Sequence, residues 1–205
     1  MRVAVVGGTG DFGLALARQL VDAGHDLVVG SRDAERAAGK GAEVGASGAT
    51  NEDAVRGADV VVLAVKAEAA LETAASLRAA IAETPVLSVA SELRFTKQGV
   101  FPGEDPSSIA ERTQKLLAAP VIAGLHSLAA ASLAQGKAAG DALVCGDDAS
   151  AKERVLELAA DIVTGRALDA GPLASARALE GMTAVIVNLN KRYRAHAGVQ
   201  VTGLP

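Results

Sequence analysis

The chain has 205 residues, of which 50% are hydrophobic and 2% aromatic, and a formal net charge of −4 at pH 7. This length fits a nucleotide-binding unit with a modest second region and excludes a long multidomain protein. The net negative charge and the scarcity of aromatic side chains argue against nucleic-acid binding. The single cysteine, Cys145, excludes an intrachain disulfide and a cysteine-based zinc site, and predicts an inert buried thiol in a reducing, cytoplasmic compartment.

Strands and helices alternate along the first half of the chain. A continuous apolar run at residues 2–6, ended by glycines, predicts a strand buried on both faces of a parallel sheet rather than a signal sequence or a membrane span. The spacing of Phe12, Leu16 and Leu20 predicts an amphipathic helix at residues 11–23. Further strands are predicted at 26–30, 49–50, 59–65 and 85–89, and further helices at 33–43, 52–57 and 68–82. This order predicts an α/β fold with a doubly wound, mostly parallel sheet.

The second half has a weaker pattern. Residues 91–107 are rich in glycine, proline and charge, and we expect a functional loop beside the ligand. Helices are predicted at 108–117, 151–162 and 173–195, and strands at 120–125, 142–145 and 198–203.

A glycine motif lies at the first strand-to-helix turn. The segment Gly8-Thr9-Gly10-Asp11-Phe12-Gly13 matches G-x-G-x-x-G and follows a predicted strand directly. We assign the tight turn to Gly8, the approach of a pyrophosphate to Gly10, and close packing of helix and strand to Gly13. The free amides and positive dipole at the helix start would hold the phosphates, so the motif predicts a Rossmann-type dinucleotide site.

The end of the second predicted strand indicates which dinucleotide binds. An NAD site would place a carboxylate there for the ribose 2′-hydroxyl, but the residues are Gly30, Ser31 and Arg32, with Arg36 one helical turn further on. A hydroxyl and guanidinium groups suit a 2′-phosphate, which favours NADP. The alternative is that Arg32 and Arg36 are ordinary solvated residues at a helix start.

Several blocks of sequence resemble one family along nearly the whole chain. They resemble, in order and spacing, the NADPH-dependent coenzyme F420 reductases (F420:NADP oxidoreductases). The blocks are Gly7-Gly8-Thr9-Gly10 to Gly24-His25, Val28-Val29-Gly30-Ser31-Arg32, Leu125-His126-Ser127-Leu128, Leu143 to Asp148, Leu168 to Leu173, and Asn188-Leu189-Asn190. The resemblance implies hydride transfer between the nicotinamide of NADP and the deazaflavin of coenzyme F420. Such a reaction needs no nucleophile and no metal, and the sequence offers neither a catalytic triad nor a metal-ligand cluster.

The resemblance also implies which residues form the site. His126 falls where the nicotinamide and deazaflavin would meet, and would donate a hydrogen bond to a ring carbonyl. The alternative is a structural histidine that caps a strand end. The positions that match cofactor-binding residues of the family are Gly8, Thr9, Gly10, Asp11, Phe12, Gly13, Ser31, Arg32, Arg36, Val65, Ala67, Leu71, Leu128 and Ala130.

Three positions depart from the family pattern. Lys66 and Ala129 stand where relatives often have proline, and Glu92 lies in a segment that is usually uncharged. These departures leave two other hypotheses open. One is an NADPH-dependent reductase of flavins or ferric iron, and the other is an NADP(H)-sensing module without catalysis.

The C-terminal part suggests a second region and a dimer. Lys191, Arg192, Arg194 and His196 crowd the end of the last predicted helix and, with Arg94 and Lys97, would face the anionic tail of F420. Stabilisation of the helix end by cations is the alternative explanation. The apolar surface of that helix predicts a homodimer. We therefore divide the chain into an NADP-binding domain at 1–140 and a region at 141–205 that contributes to the second-ligand pocket and the dimer interface.

Overall fold

The computed structural model describes residues 1–204, which form ten strands and eight α-helices. The strands are β1 Arg2–Val6, β2 Asp26–Ser31, β3 Ser47–Thr50, β4 Val60–Leu63, β5 Val86–Ser88, β6 Leu93–Thr96, β7 Gly99–Pro102, β8 Val121–Gly124, β9 Ala142–Gly146 and β10 Ala167–Asp169. The helices are α1 Asp11–Asp22, α2 Ala34–Ala42, α3 Asn51–Val55, α4 Ala67–Ile81, α5 Ile109–Gln114, α6 Ala130–Gln135, α7 Ala149–Ile162 and α8 Ala176–Tyr193, the last preceded by a 3₁₀ turn at Leu173–Ser175.

Eight of the strands form one sheet in the order β10-β9-β8-β5-β4-β1-β2-β3. The pairs from β3 to β8 are parallel, β9 runs antiparallel to β8, and β10 runs parallel to β9. The predicted doubly wound, mostly parallel α/β fold is confirmed. The sheet continues across the predicted boundary at residue 140, because β9 and β10 extend the edge formed by β8.

Alternate residues of β1 enter two separate cores. Val3 and Val5 pack under α1 and α7, whereas Ala4 and Val6 pack under α3 and α4. Small aliphatic side chains fill both layers, as the composition predicts. Within residues 1–204, no helix combines the length and the apolar character that a membrane crossing requires.

The segment 91–107, predicted to be a loop, forms instead the antiparallel hairpin β6-β7, which pairs Leu93 with Pro102 and Thr96 with Gly99. Asn188 on α8 holds this hairpin: its Oδ1 accepts the N–H of Val100 at 2.9 Å and its Nδ2 donates to the carbonyl of Val100 at 2.7 Å. The sequence pattern missed the hairpin because its stability depends on this contact with a distant helix.

Near the C-terminus one predicted strand is wrong and one observed strand was not predicted. Residues 198–203 do not form a strand, since their backbone bonds go to the Asp141 backbone and side chain and to Arg166 rather than to a sheet edge. The three-residue strand β10, which the sequence analysis missed, occupies that edge instead. Three residues are too few to show a periodic pattern.

Candidate active site

The loops that follow β1, β4, β5 and β8 surround a cavity of about 240 Å³ at the carboxyl edge of the sheet. A second cleft of about 580 Å³ adjoins it, and the two share Lys66, Ala67, Ser91 and Leu93 in their walls. Ligands of open α/β sheets bind at this edge, where the order of the strands reverses. Here the reversal lies between β1 and β4.

The glycine loop needs its glycines for different reasons. Gly7 has φ +75°, and a Cβ there would lie 2.6 Å from Cγ1 of Val65. The tight turn therefore belongs to Gly7, not to Gly8 as the sequence motif suggested. A Cβ on Gly8 would lie 2.7 Å from the carbonyl oxygen of Val5, and one on Gly13 would lie 2.8 Å from Cα of Gly8. The predicted packing role of Gly13 agrees with this contact.

Gly10 leaves open space where a phosphate group would approach. The nearest atom to a Cβ at Gly10 is the carbonyl oxygen of Gly7, at 3.5 Å. Gly10 is also the N-cap residue of α1, and no side chain caps that helix. The first amides of α1 and its dipole are thus available to an anion, which fits a pyrophosphate.

The end of β2 lies next to this loop, since the amide of Gly8 donates to the carbonyl of Gly30 at 3.1 Å. The hydroxyl of Ser31 accepts the amide of Asp33, and Asp33 caps α2 by accepting the amide of Arg36. The carboxylate of Asp33 is therefore engaged at the helix start. Arg32 and Arg36 are exposed, and neither forms an ion pair within residues 1–204. These residues fit a 2′-phosphate.

His126 lies at the far wall of the cavity and is buried, with 6% of its surface exposed. Neither Nδ1 nor Nε2 makes a hydrogen bond of normal geometry within residues 1–204. Burial lowers the pKa of His126 to about 4, although the nearby Ala90 backbone opposes part of this shift. The ring is therefore neutral near pH 7 and has polar atoms left over for a ligand.

The backbone around His126 is held in an unusual conformation. Leu125 directly before it has φ +67°, a left-handed conformation that costs a non-glycine residue about 1–2 kcal/mol. The hydroxyl of Thr183 on α8 donates to the carbonyl of His126 at 3.0 Å, and Oγ of Ser91 lies 2.8 Å from the same hydroxyl oxygen. Because a threonine hydroxyl has one hydrogen, Ser91 is the donor to Thr183. This chain of hydroxyls ties the β5 and β8 loops to α8.

The other predicted cofactor residues fall in four places. Phe12, Val65, Ala67 and Leu128 line the cavity with His126, and Leu71 lines the adjoining cleft. Asp11 and Ala130 instead line a separate groove between α1 and α6. Thr9 is half-buried in the glycine loop.

The three departures from the family pattern differ in their surroundings. Lys66 is exposed in the walls of both the cavity and the cleft. Glu92 is paired with Arg112 at 2.7 Å, so its charge is compensated. Ala129 is the N-cap residue of α6 and offers no side-chain cap. None of them blocks the cavity beside His126.

Sequence reasoning missed Gly7, Ser91 and Thr183. The double glycine at the end of β1 is a signal that could have identified Gly7. Ser91 and Thr183 lie 92 positions apart in the chain, and no local pattern links them.

Two further buried titratable groups lie outside the cavity. Burial raises the pKa of the Cys145 thiol in β9 to about 11, which agrees with the predicted inert thiol. Burial also raises the pKa of Glu180 to about 7, even though its carboxylate accepts the amides of Ile109 and Ala110 at 3.0 and 3.1 Å. Glu180 therefore joins α8 to the start of α5.

The basic residues near the C-terminus contact the hairpin in part. The ammonium of Lys191 lies 5.4 Å from the centre of the Phe95 ring, and the guanidinium of Arg94 lies 5.5 Å from that of Phe101. Arg94 also lies 3.4 Å from a carboxylate oxygen of Glu104. The Lys191 contact stabilises the attachment of the hairpin to the end of α8, whereas the Arg94 contact lies within the hairpin.

The burial of His126 predicts how stability depends on pH. Below its ordinary pKa of 6.5 the unfolded chain binds a proton on this residue, whereas the folded chain does not until about pH 4. The free energy of unfolding therefore falls as the pH is lowered through this window, and the contribution is fully present above about pH 6.5. Between about pH 7.5 and about pH 5, we expect His126→Gln to lose about 2 kcal/mol less stability than the wild type, measured by urea unfolding.

The matched control is His196→Gln, which changes an exposed histidine. It should lose as much stability as the wild type over the same pH interval. Equal losses in all three proteins would contradict a buried neutral His126.

Comparisons with known proteins identify a family for the whole chain. Residues 2–92 match the family model described as NADP oxidoreductase, coenzyme F420-dependent. The chain is 36% identical to the F420-dependent NADP reductase of Methanothermobacter thermautotrophicus, over 100% of this chain and 96% of that protein. It is 33% identical to the F420-dependent NADP reductase of Methanocaldococcus jannaschii, over 100% of this chain and 99% of that protein.

A solved structure is similar over the same extent. The crystal structure of a candidate F420-dependent NADP reductase from Arthrobacter sp. FB24 superimposes with a TM-score of 0.85 at 26% identity, covering 99% of this chain and 100% of that one. The glycine loop, the basic end of β2 and the buried His126 thus occur in a chain whose full length aligns with these reductases. The chain belongs to the family of F420-dependent NADP reductases.

Proposed function

We propose that this protein is an oxidoreductase that transfers a hydride between NADP(H) and the deazaflavin coenzyme F420. The observation that carries the proposal is one cavity whose wall contains both Phe12, in the first turn of α1 directly after the phosphate-binding loop, and the buried His126, whose ring nitrogens make no hydrogen bond of normal geometry within residues 1–204. The names of the aligned relatives support the choice of F420 as the second cofactor. In the direction of F420 reduction, NADPH, F420 and one proton give NADP⁺ and F420H₂.

The residues of the N-terminal half are assigned to NADP. The amides that start α1 would hold the pyrophosphate, with Gly10 allowing its approach. Ser31, Arg32 and Arg36 would bind the 2′-phosphate. When bound, NADP(H) supplies or accepts the hydride at its nicotinamide ring.

The groups around the cavity would align the two rings and exclude water. Val65, Leu125 and Leu128 form apolar walls of the cavity. They would keep water away from the two rings, so that the hydride passes directly from one ring to the other. His126, neutral near pH 7, would donate a hydrogen bond from one ring nitrogen to a carbonyl of the acceptor. Thr183 and Ser91 hold His126 in place through its backbone.

The region at 141–205 would serve the second cofactor. α8 contributes Thr183 to the cavity wall, and the cluster of Lys191, Arg192, Arg194 and His196 follows on the same helix and the segment after it. We assign this cluster, with Arg94 and Lys97, to the phosphate and polyglutamate tail of F420. The single, buried thiol of Cys145 supports a reducing, cytoplasmic compartment.

Mixing the purified protein with NADPH and oxidised F420 tests the proposal directly. We expect the deazaflavin absorbance to decay rapidly with NADPH and at least about tenfold more slowly with NADH, because only NADPH carries the 2′-phosphate. FMN should not replace F420 as the acceptor. Rapid reduction of FMN would favour a flavin reductase, and NADPH binding without turnover of any acceptor would favour a sensing module.

Arg32 gives a test of cofactor choice. Arg32→Glu should weaken NADPH binding by about 30- to 160-fold, equivalent to about 2–3 kcal/mol for a lost charge-assisted pair, and should spare NADH. Titration calorimetry with both dinucleotides measures this. The control Arg78→Glu, an exposed charge reversal on α4, should leave both affinities unchanged. Equal loss of NADPH and NADH affinity in Arg32→Glu would contradict the assignment to the 2′-phosphate.

We also propose a homodimer through α8. Val185, Leu189 and Tyr193 recur every four residues, so they share one face of the helix, and they are 56%, 38% and 67% exposed. Phe95 on the hairpin, 65% exposed, lies beside the end of this stripe through its contact with Lys191. A second copy of the chain would cover these large apolar side chains.

Sedimentation velocity at micromolar concentration tests the dimer. The wild type should sediment as a dimer and Val185→Glu as a monomer, because the substitution would bury an unpaired charge. The control Ala75→Glu adds the same charge at an exposed position of α4 and should remain dimeric. A monomeric wild type would refute the proposal.

A further inference from the structure

The C-terminal segment at residues 197–201 has no regular secondary structure, yet it is fixed along its length. The amide of Ala197 donates to Oδ1 of Asn190 at 2.6 Å. The amide of Asp141 donates to the carbonyl of Val199 at 2.6 Å, and the amide of Val201 donates to Oδ2 of Asp141 at 2.8 Å. The guanidinium of Arg166 donates to the carbonyl of Val201. Most of these bonds therefore converge on Asp141 and its partner.

Close backbone contacts accompany these bonds. A Cβ on Gly198 would lie 2.1 Å from the carbonyl oxygen of Ala139. A Cβ on Gly140, which has φ +96°, would lie 2.4 Å from the carbonyl oxygen of Val199. The segment and the residues before β9 thus approach each other at a distance that only glycine allows.

Asp141 is a buried carboxylate, 2% exposed, whose negative charge is fully compensated. Its Oδ1 accepts the amide of Arg166 at 2.8 Å, and its Oδ2 accepts the Arg166 guanidinium at 3.2 Å as well as the amide of Val201. These donors hold the pKa of Asp141 at about 2, well below its ordinary value. An ionised carboxylate with this many donors fixes their relative positions more strictly than a neutral residue would.

The same residue adjoins the active-site loop. Because β9 is antiparallel to β8, its first residues lie at the carboxyl edge of the sheet, beside the residues that follow β8. The hydroxyl of Ser127 donates to the carbonyl of Asp141 at 3.3 Å, and the amide of Leu125 donates to the carbonyl of Leu143 at 3.3 Å. The backbone of Asp141 and of Leu143 thus contacts the residues on either side of His126.

We propose that Asp141 is a positioning residue for the active site: with Arg166 it locks the C-terminal segment at 197–201 against the start of β9, and the backbone there in turn holds the loop that carries His126. Nothing in this role requires Asp141 to touch either cofactor. The expected effect on KM rests on the proposed function, because the loop carries His126, which we assign to F420.

Two variants test the lock by different routes. Asp141→Ala removes the carboxylate, and Val201→Pro removes only the amide that the segment donates to it, leaving the pair with Arg166 intact. In hydrogen exchange measured by mass spectrometry, we expect both variants to accelerate exchange in residues 197–201, and Asp141→Ala also in residues 125–128, by at least about tenfold. Asp141→Asn, which keeps one accepting oxygen, should give an intermediate rate.

Kinetics distinguish positioning from simple stability. Asp141→Ala should raise KM for F420 by at least about tenfold while KM for NADPH stays within about twofold, because the lock lies on the acceptor side of the cavity. Val201→Pro should shift KM for F420 in the same direction by a smaller factor. Asp169→Ala is the matched control, since Asp169 lies on the neighbouring strand β10, pairs with Lys152 of α7 and has no bond to the segment. Thr202→Pro controls for the proline.

Each outcome decides a different claim. Unchanged exchange of residues 125–128 in Asp141→Ala would overturn the coupling to the His126 loop. Faster exchange with an unchanged KM for F420 would overturn the positioning role. A wild type that binds NADPH but does not reduce F420 would refute the proposed function, while the exchange data would still decide whether Asp141 locks the segment against β9 and thereby holds the loop.

Discussion

The parallel pairing of β1 with both β2 and β4 determines where the ligand-binding crevice opens. Residues 3–6 are fully buried, so this strand is fixed between its neighbours by apolar contacts on both faces. The helix after β1 packs on one face of the sheet and the helix after β4 packs on the other. The two loops therefore diverge and leave a crevice, whose base is the contact between Gly7 and Val65.

The two ends of the crevice have opposite electrostatic character. At the β1 and β2 end, uncapped amides and exposed guanidinium groups attract an anion. At the β8 end, burial of His126 keeps its ring neutral, and its nitrogens make no hydrogen bond of normal geometry within residues 1–204. A dinucleotide is charged at one end and has a planar, uncharged or singly charged ring at the other. The crevice matches that polarity along its length.

The loop that contains His126 has two unfavourable features in this arrangement. Leu125 has a left-handed backbone conformation, and the imidazole is buried without partners, both of which are unfavourable for an isolated loop. Three hydrogen bonds offset this: the hydroxyl of Thr183 donates to the carbonyl of His126, and in the loop itself the hydroxyl of Ser127 donates to the carbonyl of Asp141 and the amide of Leu125 to the carbonyl of Leu143. The part of the chain after residue 140 is therefore required to hold the site that the first part begins.

The sequence by itself determined the elements and residues whose signals are local. Strands buried on both faces appear as continuous apolar runs, so β1, β2, β4 and β5 were predictable, and a glycine motif between a strand and a helix places the phosphate site. The position of Ser31 and Arg32 at the end of β2 was predictable from the strand pattern, and their role at the ribose stays a prediction. The assignment of His126 to the site came from the resemblance to a family, since an isolated histidine forms no motif that would predict its role.

Tertiary structure alone decided the contacts between distant parts of the chain. The hairpin β6-β7 depends on Asn188, the carbonyl of His126 is held by Thr183, and the C-terminal segment bonds to Asp141 instead of forming the predicted strand. The tight turn belongs to Gly7 because Val65, from another loop, leaves no room for a side chain there. Each of these contacts joins residues that are far apart in the sequence. Such hydrogen bonds form only after the sheet has brought the residues together, so local periodicity does not encode them.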